Sequence, residues 1–516
     1  MMRVLTLSLL LGAACAPGHA AETLVVHEWG TFTSFQDEKG AAIGRLNIDD
    51  EPVPDFVHDA VGGLLHPLND HSPAFVGLGK GFPLGDSEVT MRLETPVLYF
   101  HPASGQQLGA VDVRVDFHGG WLTQYYPDAL VNRPGRRVKD QIEFDPLSAS
   151  TLGMLHWSGL SVGEGAVGFP ETTSPVWMAP RQVAAANVRS AGGEGERFLF
   201  YRGVGHLDAP VRVIRDEQGA LTLHPVAGLP AIARYFLVDI RPDGTLAYRT
   251  IKGGSPGAVD AGAETFASDL YALDRKAALR EDLAGELAAN GMFADEAAAL
   301  LNTWDASYFR SPGLRLFFLV PRAWVDTVLP LAIAPQAAVE RAMVGRIELI
   351  SPRQRELLAR IAKGPHSNAG WWQDFIHQRV WDSSNPAKPT LRPGGEELRK
   401  DTFSGPGAFA RLKLQVPADY ADFLALGRFR EALVLARVEA EPKAAQLPLT
   451  EASLMPFAEA YGLTELFLIT PRAKPTSQLE ALTAPPAFAL QSGAVRPDAV
   501  QASDAEVPAA ESTRCR

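Results

Sequence analysis

Cysteine is almost absent from this chain of 516 residues: it occurs only as Cys15, in the first apolar segment, and as Cys515, the penultimate residue. If the first segment is removed on export, one cysteine remains, so we expect no internal disulfide. The lack also excludes a cysteine nucleophile from the first half of the mature chain. A chain of this length needs no disulfide, because the fraction of surface that folding buries increases with size.

A basic stripe is missing too. The net charge is −12, with 60 acidic against 48 basic residues, and no cluster of lysine and arginine forms the footprint that nucleic-acid binding requires. After the N-terminal segment no apolar run reaches about 18 residues, so we expect no further transmembrane span. A glycine-rich segment at 77–85 surrounds Lys80, but glycine follows that lysine, which excludes a phosphate-binding loop.

The N-terminal segment has the pattern of an export signal. Arg3 gives a positive start, residues 4–14 form a short apolar run, and Gly18 and Ala20 are the small residues that a signal peptidase reads. We therefore expect a signal peptide over 1–20 and a periplasmic or extracellular protein. The sequence Gly-Ala-Ala-Cys at 12–15 leaves a second interpretation, a lipid anchor on Cys15, although the leucine typical of that motif is replaced by Gly12.

The first half of the mature chain has the period of β-strands. Residues 111–118 alternate apolar and polar side chains, and 198–201 and 235–240 are apolar runs of strand length, rich in aromatic and branched residues. Turn residues lie between such runs, as Gly219 and the pair Asp243-Gly244 show. The pattern predicts an antiparallel, sandwich-like β domain over 23–252.

The second half changes to a helical period. Leu279, Leu283 and Leu287 are four residues apart, and Ser351 with Gln354 has the pattern of a capping box. Further helices are predicted over 371–381, 417–436 and 451–461. A loop of small residues at 253–262 marks the expected boundary to a mixed helical and β domain over 263–470. The segment 472–516 is poor in large apolar groups and predicts a disordered tail. The fold class is therefore α+β.

Four stretches carry a resemblance to known proteins. They are HEWGTFTS at 27–34, ETPVLYF at 94–100, FLFYRGVG at 198–205 and VGRIEL at 344–349. In this order they resemble a family of exported bacterial proteins of unknown function. The resemblance implies export and a single unit over about residues 23 to 360, and it implies no catalytic role.

Charged groups embedded in apolar strands are the candidates for catalysis, because burial shifts the pKa values of acids and bases. These candidates are Glu28, Arg92, Glu94, His101, His118, Arg202 and His206. On a strand, His27 shares a face with Trp29 while Glu28 points the other way, so the adjacent pair cannot chelate one metal. A core histidine and a buried carboxylate paired with arginine are the competing structural interpretation.

Arg92 and Glu94 are two residues apart, which places both on one face of a strand, beside Leu98 and Phe100 if the alternation continues. Pro96 removes a backbone donor and predicts an edge strand or a bulge. The pair is either a structural ion pair or a clamp for a substrate. Burying it costs several kcal/mol per ion before compensation.

A transition-metal site is the third possibility. His58, His66 and His71 lie within fourteen residues and alternate with aspartates, and imidazole with carboxylate suits zinc, copper or nickel. A surface loop collects such residues without binding anything, so both interpretations stay open. The aromatic residues Trp121, Tyr125, Tyr126 and Trp157 fit either a core or a glycan ligand.

Three functions compete. The first is a non-catalytic binding or scaffold protein of the cell envelope, favoured by the strand pattern and the expected disordered tail. The second is a hydrolase or metal-assisted enzyme with its site near 27–34, 92–101 and 198–206. The third is a metal-handling protein that uses the 58–71 segment. The sequence leaves the ligand, the reaction and the oligomeric state open.

Overall fold

A computed structural model describes residues 24–49, 53–60, 85–103, 106–138, 141–163, 165, 168–254, 257–364, 418–440, 453–461 and 463, and the backbone of 66–67, 381–382 and 390–391. The contacts place all of them in one compact unit within residues 1–484. The predicted signal peptide over 1–20, Cys15, His71 and the predicted tail over 472–516 lie outside the described residues.

Strands make up most of the described fold. In chain order they are β1 (Val25–Gln36), β2 (Ile48–Asp49), β3 (His58–Asp59), β4 (His66–Pro67), β5 (Met91–His101), β6 (Leu108–His118), β7 (Gly120–Tyr126), β8 (Leu130–Val131), β9 (Arg136–Val138), β10 (Gln141–Glu143), β11 (Leu152–Gly163), β12 (Asn187–Arg189), β13 (Gly195–Glu196), β14 (Leu199–Gly205), β15 (Val211–Arg215), β16 (Ala220–Pro225), β17 (Arg234–Ile240), β18 (Leu246–Lys252), β19 (Val259–Ala263), β20 (Gly313–Leu319), β21 (Leu331–Ala334), β22 (Ala338–Leu349), β23 (Trp381–Asp382) and β24 (Thr390–Leu391).

One sheet of 15 strands dominates. Its main path runs β13-β12-β11-β7-β14-β5-β1-β22-β20-β17-β18, and β3, β6, β8 and β21 pair beside it. Most neighbours are antiparallel, but β1 and β22 run parallel over twelve residue pairs. Smaller sheets are formed by β15, β16 and β19, by β2 and β4, by β9 and β10, and by β23 and β24.

The large sheet does not end at the boundary expected near 253–262. Strands β20 and β22, from beyond it, pair with β17 and β1 near the middle of the sheet, and residues 259–263 form β19. In the described residues, one mixed sheet thus replaces the separate antiparallel sandwich expected over 23–252. The alternation predicts strands but carries no information about distant partners, which explains the difference.

The described helices with α geometry lie mostly in the second half. They are α1 (Pro175–Met178), α2 (Arg275–Ala289), α3 (Ala294–Thr303), α4 (Asp305–Phe309), α5 (Arg322–Val328), α6 (Pro352–Lys363), α7 (Ala418–Leu424), α8 (Arg430–Ala440) and α9 (Met455–Ala460); two short 3₁₀ helices cover Pro180–Gln182 and Ser268–Leu270. None of these helices has the length and apolar character that a membrane crossing requires.

The helix predictions met different outcomes. The capping box of α6 is confirmed, since Ser351 Oγ accepts from the Gln354 N–H at 3.2 Å and Gln354 Oε1 accepts from the Ser351 N–H at 2.9 Å. The single helix expected over 417–436 is wrong: α7 and α8 are separated by a turn in which Gly427 has φ +95°, a conformation that interrupts a helix. The segment 371–380 lies outside the described residues, and Trp381 belongs to β23.

Strand β1 separates two packed layers. Val26 and Phe32 point to one face, into a core shared with β6 and β11. Trp29 points to the other face and packs with α2 and α3. Phe35, further along that second face, packs with α6 and α8. One face of the sheet is thus covered by strands and the other by two groups of helices.

A bulge in β5 changes which side chains share a face. Thr95 has φ +46°, and the register of β5 against β1 shifts between Trp29 and Thr31. Before the bulge, Arg92 and Glu94 point to the helix-covered face; beyond it Leu98 packs in the opposite core. The expectation that Leu98 and Phe100 lie beside Arg92 and Glu94 is therefore wrong. The bulge predicted from Pro96 is confirmed, and β5 is an inner strand rather than an edge.

Candidate functional site: a histidine–glutamate cluster

Two histidines of neighbouring strands meet one glutamate of helix α3. Val25 lies opposite His101 and His27 lies opposite Tyr99, so the two histidines are diagonal neighbours on one face of β1 and β5. His27 Nδ1 is 2.8 Å from Glu296 Oε2, and His101 Nε2 is 2.9 Å from Glu296 Oε1. Each carboxylate oxygen of Glu296 thus faces one imidazole nitrogen.

Glu296 is held by the start of its own helix. It is the third residue of α3, and its Oε2 accepts a hydrogen bond from the backbone N–H of Phe293 at 2.8 Å. This is the reciprocal half of a capping box. Residues next to Glu296 in the chain therefore orient its carboxylate, independently of the contacts with β1 and β5.

The carboxylate of Glu296 is ionised despite full burial. Burial by itself raises the pKa of Glu296, but hydrogen bonds from His101 and His27 and from the Phe293 N–H outweigh it and bring the pKa to about 2. Because an ionised carboxylate only accepts hydrogen bonds, the facing nitrogen of each imidazole carries a hydrogen. A buried negative charge therefore exists at neutral pH.

That charge has no permanently cationic partner among the described residues. No arginine or lysine there forms an ion pair with Glu296; its ion-pair contacts are with the two histidines. Histidine is cationic only when doubly protonated. The charge of the cluster is therefore balanced either by an additional proton on an imidazole or by a bound cation.

The three side chains have the spacing of a metal site. His27, His101 and Glu296 each offer one ligand atom, and these atoms lie within 4.8 Å of one another. Tetrahedral zinc with bonds of about 2 Å places its ligands about 3.4 Å apart. In the part of the chain that the structure describes, no other group of three His, Cys, Asp or Glu side chains has this spacing.

Phe293, at the start of α3, covers the two histidines. The residue is 49% exposed, and its ring lies 4.5 Å from the ring of His27 and 5.0 Å from that of His101, measured between centroids. The side chain of His101 is 15% exposed, whereas those of His27 and Glu296 are buried. The Phe293 ring thus packs against both histidines, while His101 keeps a small exposed area.

The opposite face of β1 carries a different cluster. Glu28 accepts hydrogen bonds from the Tyr201 hydroxyl and from Nε of Arg341. Nη1 of Arg341 also donates to Asp326 Oδ1 at 3.0 Å and to the Leu329 carbonyl at 2.8 Å. Burial lowers the pKa of Arg341, but attraction to Glu28 and the hydrogen bond to it outweigh burial and raise the pKa above its ordinary value. Glu28 is thus neutralised by a permanent cation, as the structural interpretation expected.

Arg92, Glu94 and Arg202 come together, on the helix-covered face. Arg92 Nε is 3.2 Å from Glu94 Oε1, which also accepts from Arg428 Nη2 at 2.6 Å. Arg202 Nε donates to Thr95 Oγ1 at 3.2 Å. All three predicted residues are buried. Their contacts join the start of β5 to the turn before α8.

The remaining histidine candidates do not join the cluster. His118 is exposed at the end of β6, and His206 Nδ1 lies 2.9 Å from the Glu88 carbonyl oxygen. His58 Nε2 lies 2.9 Å from both carboxylate oxygens of Glu194. Of His66 only the backbone is described, and His71 lies outside the described residues, so the metal site predicted at 58–71 stays a prediction.

The aromatic residues considered for a glycan ligand are all buried; they are Trp121, Tyr125, Tyr126 and Trp157. Tyr125 and Trp157 belong to the strand-covered core. The residues 159–163 read Gly-Leu-Ser-Val-Gly, a pattern that also marks the nucleophile turn of hydrolases. Here they lie within β11, where Ser161 is opposite Arg189 of β12. A nucleophile turn requires a strand-to-helix junction, which β11 does not provide there.

The site thus belongs to the class of two-histidine, one-carboxylate clusters. No protein-family model matches the chain, and no curated protein matches it significantly. Interpretation of the site therefore depends on its own geometry.

Sequence reasoning missed Glu296 and undervalued His27. Glu296 follows the helix break at Gly291 and occupies the third position of α3, where a glutamate ordinarily indicates a cap. The useful signal was the bulge: Pro96 predicts that the alternation reverses within β5, which brings His101 to the face of His27. Nothing in the sequence brings α3 to that face.

Proposed function

We propose that this is an exported protein that binds a divalent transition-metal ion, zinc being the simplest case, through His27, His101 and Glu296. The observation that carries the proposal is the convergence of three ligand atoms within 4.8 Å. Two imidazoles and a carboxylate are a set of ligands that zinc, copper and nickel all accept.

The charge balance supports the same conclusion. Glu296 is ionised and buried without an arginine or lysine partner in the described residues, and a divalent cation supplies the missing positive charge. Two neutral imidazoles then act as ligands through the nitrogens that face the carboxylate. In each histidine the hydrogen on the facing nitrogen must leave that nitrogen: it moves to the other ring nitrogen when the imidazole is neutral and is released when the imidazole is doubly protonated. Protons therefore compete with the metal, and metal affinity decreases at acidic pH.

The elements that carry the ligands suggest what the metal does. His27 and His101 belong to the inner strands β1 and β5, and Glu296 belongs to α3, which packs on their face. A metal there ties the helix to the sheet, which suits a binding or scaffold protein. The signal-like residues 1–20 and the resemblance to exported bacterial proteins support action outside the cytoplasm.

Metal analysis of the full chain, purified without a histidine tag, tests the proposal. We expect about one equivalent of zinc, copper or nickel after dialysis against that metal, and its loss in Glu296→Gln and in His101→Gln. His118→Gln is the matched control, because His118 is exposed and lies outside the cluster. It should bind metal as the wild type does.

Two outcomes would contradict the proposal. One is a folded wild-type protein that binds no metal at stoichiometric level. The other is a stoichiometric metal that stays bound in folded Glu296→Gln and His101→Gln, which would assign the metal to other residues, the 58–71 segment among them.

A metal-assisted hydrolase is the second candidate. Its support is the number of ligands: three protein groups leave one tetrahedral position for water, as in catalytic zinc sites, and His101 is partly exposed. Hydrolysis of a panel of ester, phosphoester and peptide substrates by the zinc-loaded protein tests it. We expect activity that Glu296→Gln abolishes; zinc binding without hydrolysis would leave the binding function alone.

A further inference from the structure

Phe293 contacts all three residues of the proposed metal site. Its backbone N–H donates to Glu296 Oε2 at 2.8 Å, and the centroid of its ring lies 4.5 Å from that of His27 and 5.0 Å from that of His101. We propose that Phe293 is a positioning residue for the metal: its ring holds both imidazoles in the orientation in which they act as ligands. This role rests on the metal binding proposed above and adds a fourth residue to it.

The place of Phe293 in helix α3 does not explain why the residue is a phenylalanine. Phe293 is the N-cap of α3. Ser, Thr, Asp and Asn are preferred at an N-cap because their side-chain oxygen accepts a hydrogen bond from a backbone N–H of the first turn. A phenyl ring has no such acceptor, and the side chain of Phe293 makes no capping hydrogen bond. The helix alone would thus favour a different residue.

Burial does not explain the phenylalanine either. The residue is 49% exposed, and it is the only aromatic among the large apolar residues that are exposed in the described part of the chain. A single exposed apolar side chain is common and carries no information by itself. An exposed aromatic ring at an N-cap, however, departs from two local preferences at one residue. Such departures are expected where a function compensates for them.

The ring of Phe293 and the two imidazoles form one packed group. The rings of His27 and His101 lie 4.9 Å apart at 61°, and the ring of Phe293 meets them at 50° and 73°. Aromatic rings prefer such separations and inclined or edge-to-face angles. Rotation of an imidazole about its χ2 bond is only weakly restricted by the residue itself. A ring that packs against both imidazoles therefore reduces the freedom that they would lose on binding a metal.

Packed elements on both sides place Phe293 against the histidines. Met292, the preceding residue, is buried in the core that contains Leu287 of α2, and its N–H donates to the Leu287 carbonyl at 3.2 Å. Gly291 has φ +92°, which allows the chain to reverse between α2 and α3. The position of the ring is therefore set by the same helices that carry Glu296 to the sheet.

Zinc affinity of the full chain, measured by competition with a chelator, tests this role with two substitutions. Phe293→Ser removes the ring but places a preferred residue at the N-cap, so α3 should still begin correctly. We expect its dissociation constant for zinc to increase about tenfold or more, as for other residues that orient metal ligands. Phe293→Tyr keeps the ring, and its hydroxyl can reach solvent because the position is half exposed. It should bind zinc as the wild type does.

Leu273→Ser is the matched control for the loss of an exposed apolar side chain. Leu273 is 69% exposed and lies before the start of α2, whereas Phe293 follows the end of that helix. Its zinc affinity should equal that of the wild type. A second measurement is the visible absorption of bound cobalt(II), which depends on coordination geometry. We expect this spectrum to change in Phe293→Ser and to be unchanged in Phe293→Tyr and Leu273→Ser.

The positioning role is overturned if Phe293→Ser binds zinc as tightly as the wild type and gives the same cobalt spectrum. It is also overturned if Phe293→Tyr loses as much affinity as Phe293→Ser, or if Leu273→Ser does. In each of these cases the wild type binds zinc, so the proposed function stands without a role for Phe293. A folded wild-type protein that binds no zinc, copper or nickel would reject both.

Discussion

Two buried carboxylates, Glu28 and Glu296, contact opposite faces of the same stretch of β1 and are neutralised in different ways. Glu28 pairs with Arg341, whose charge is permanent, and with the Tyr201 hydroxyl. The ion-pair partners of Glu296 in the described residues are the two histidines, His27 and His101. Arg341 balances the charge of Glu28 permanently, and we call such a carboxylate closed. The charge of Glu296 is balanced only when a histidine takes up a proton or a cation binds, and we call such a carboxylate adjustable.

The difference teaches where a function can be sought in this fold. An arginine–glutamate pair within a core holds the structure in one state, and removing one partner leaves an uncompensated charge. A carboxylate with two imidazoles can exchange protons for a metal, because the same nitrogens serve as donors or as ligands. Burial alone therefore does not identify a site; the chemical type of the partner does.

Removing the permanent cation should have the largest effect. In Arg341→Met the Glu28 carboxylate stays buried with only the Tyr201 hydroxyl as partner, and we expect the free energy of unfolding to decrease by about 3 to 5 kcal/mol. Urea denaturation at neutral pH measures it.

The matched control is Arg322→Met, which removes an exposed ion pair with Asp326, a residue that Arg341 also contacts. It should cost less than about 1 kcal/mol. If Arg341→Met costs no more than this control, the contrast between a closed and an adjustable carboxylate is wrong.

Metal should stabilise only the adjustable cluster. At a free zinc concentration about 100 times the dissociation constant, a ligand that binds only the folded state adds about 2.7 kcal/mol to the free energy of unfolding. We expect this increment in the wild type and in Tyr201→Phe, and its absence in Glu296→Gln. Urea denaturation with and without zinc measures the increment.

Tyr201→Phe retains His27, His101 and Glu296, so it separates metal linkage from general damage to β1. An increment that persists in Glu296→Gln, or that disappears in Tyr201→Phe, would show that the stabilising metal binds elsewhere. The variants differ in their free energy of unfolding without zinc, so the test compares only the increase that zinc causes in each variant.

The hydroxyl of Tyr201 should contribute less to the free energy of unfolding. Burial and the neighbouring Glu28 raise its pKa well above the ordinary value, so it is a neutral donor at neutral pH. Loss of a hydrogen bond to a charged group in Tyr201→Phe should cost about 1.5 to 3 kcal/mol, less than Arg341→Met. A cost equal to that of Arg341→Met would mean that the hydroxyl, and not the cation, neutralises Glu28.

The sequence predicted local features well where one segment decides them. The alternation of 111–118 predicted β6 with its buried valines, and the capping pattern at Ser351 predicted the start of α6. The opposite orientation of His27 and Glu28 followed from the period of a strand. Each of these depends on neighbours in the chain, which is the information that a pattern contains.

The parts that failed depend on distant partners. No pattern predicts that β1 pairs with β22 across some 300 residues, and the loop at 253–262 therefore suggested a domain boundary inside one sheet. For the same reason Glu296 was not connected with His27, 269 residues away. Thr95 has a positive φ, and this conformation exchanges the faces to which the side chains of β5 point. From the sequence, Pro96 predicted a bulge here but not this residue.

Glu348 is a third buried carboxylate and, like Glu28, it is paired with arginine, so its pH dependence extends the comparison. Burial raises its pKa, but Arg315, Arg346 and Arg428 more than offset this, so the pKa of Glu348 lies below its ordinary value. The ionised form is therefore favoured in the folded state. Its contribution to stability is complete above the unfolded pKa of about 4.3.

As the pH decreases below that value, the unfolded chain takes up a proton before the folded one does, and the contribution of Glu348 decreases by at most about 1.4 kcal/mol per pH unit. Glu348→Gln lacks this proton, so its deficit relative to the wild type should become smaller between about pH 4.3 and the lower folded pKa. Urea denaturation over this range measures the deficit, with the exposed Glu217→Gln as a control that changes little. A deficit that grows on acidification would mean that the arginines do not hold Glu348 ionised, and would remove it from the closed type.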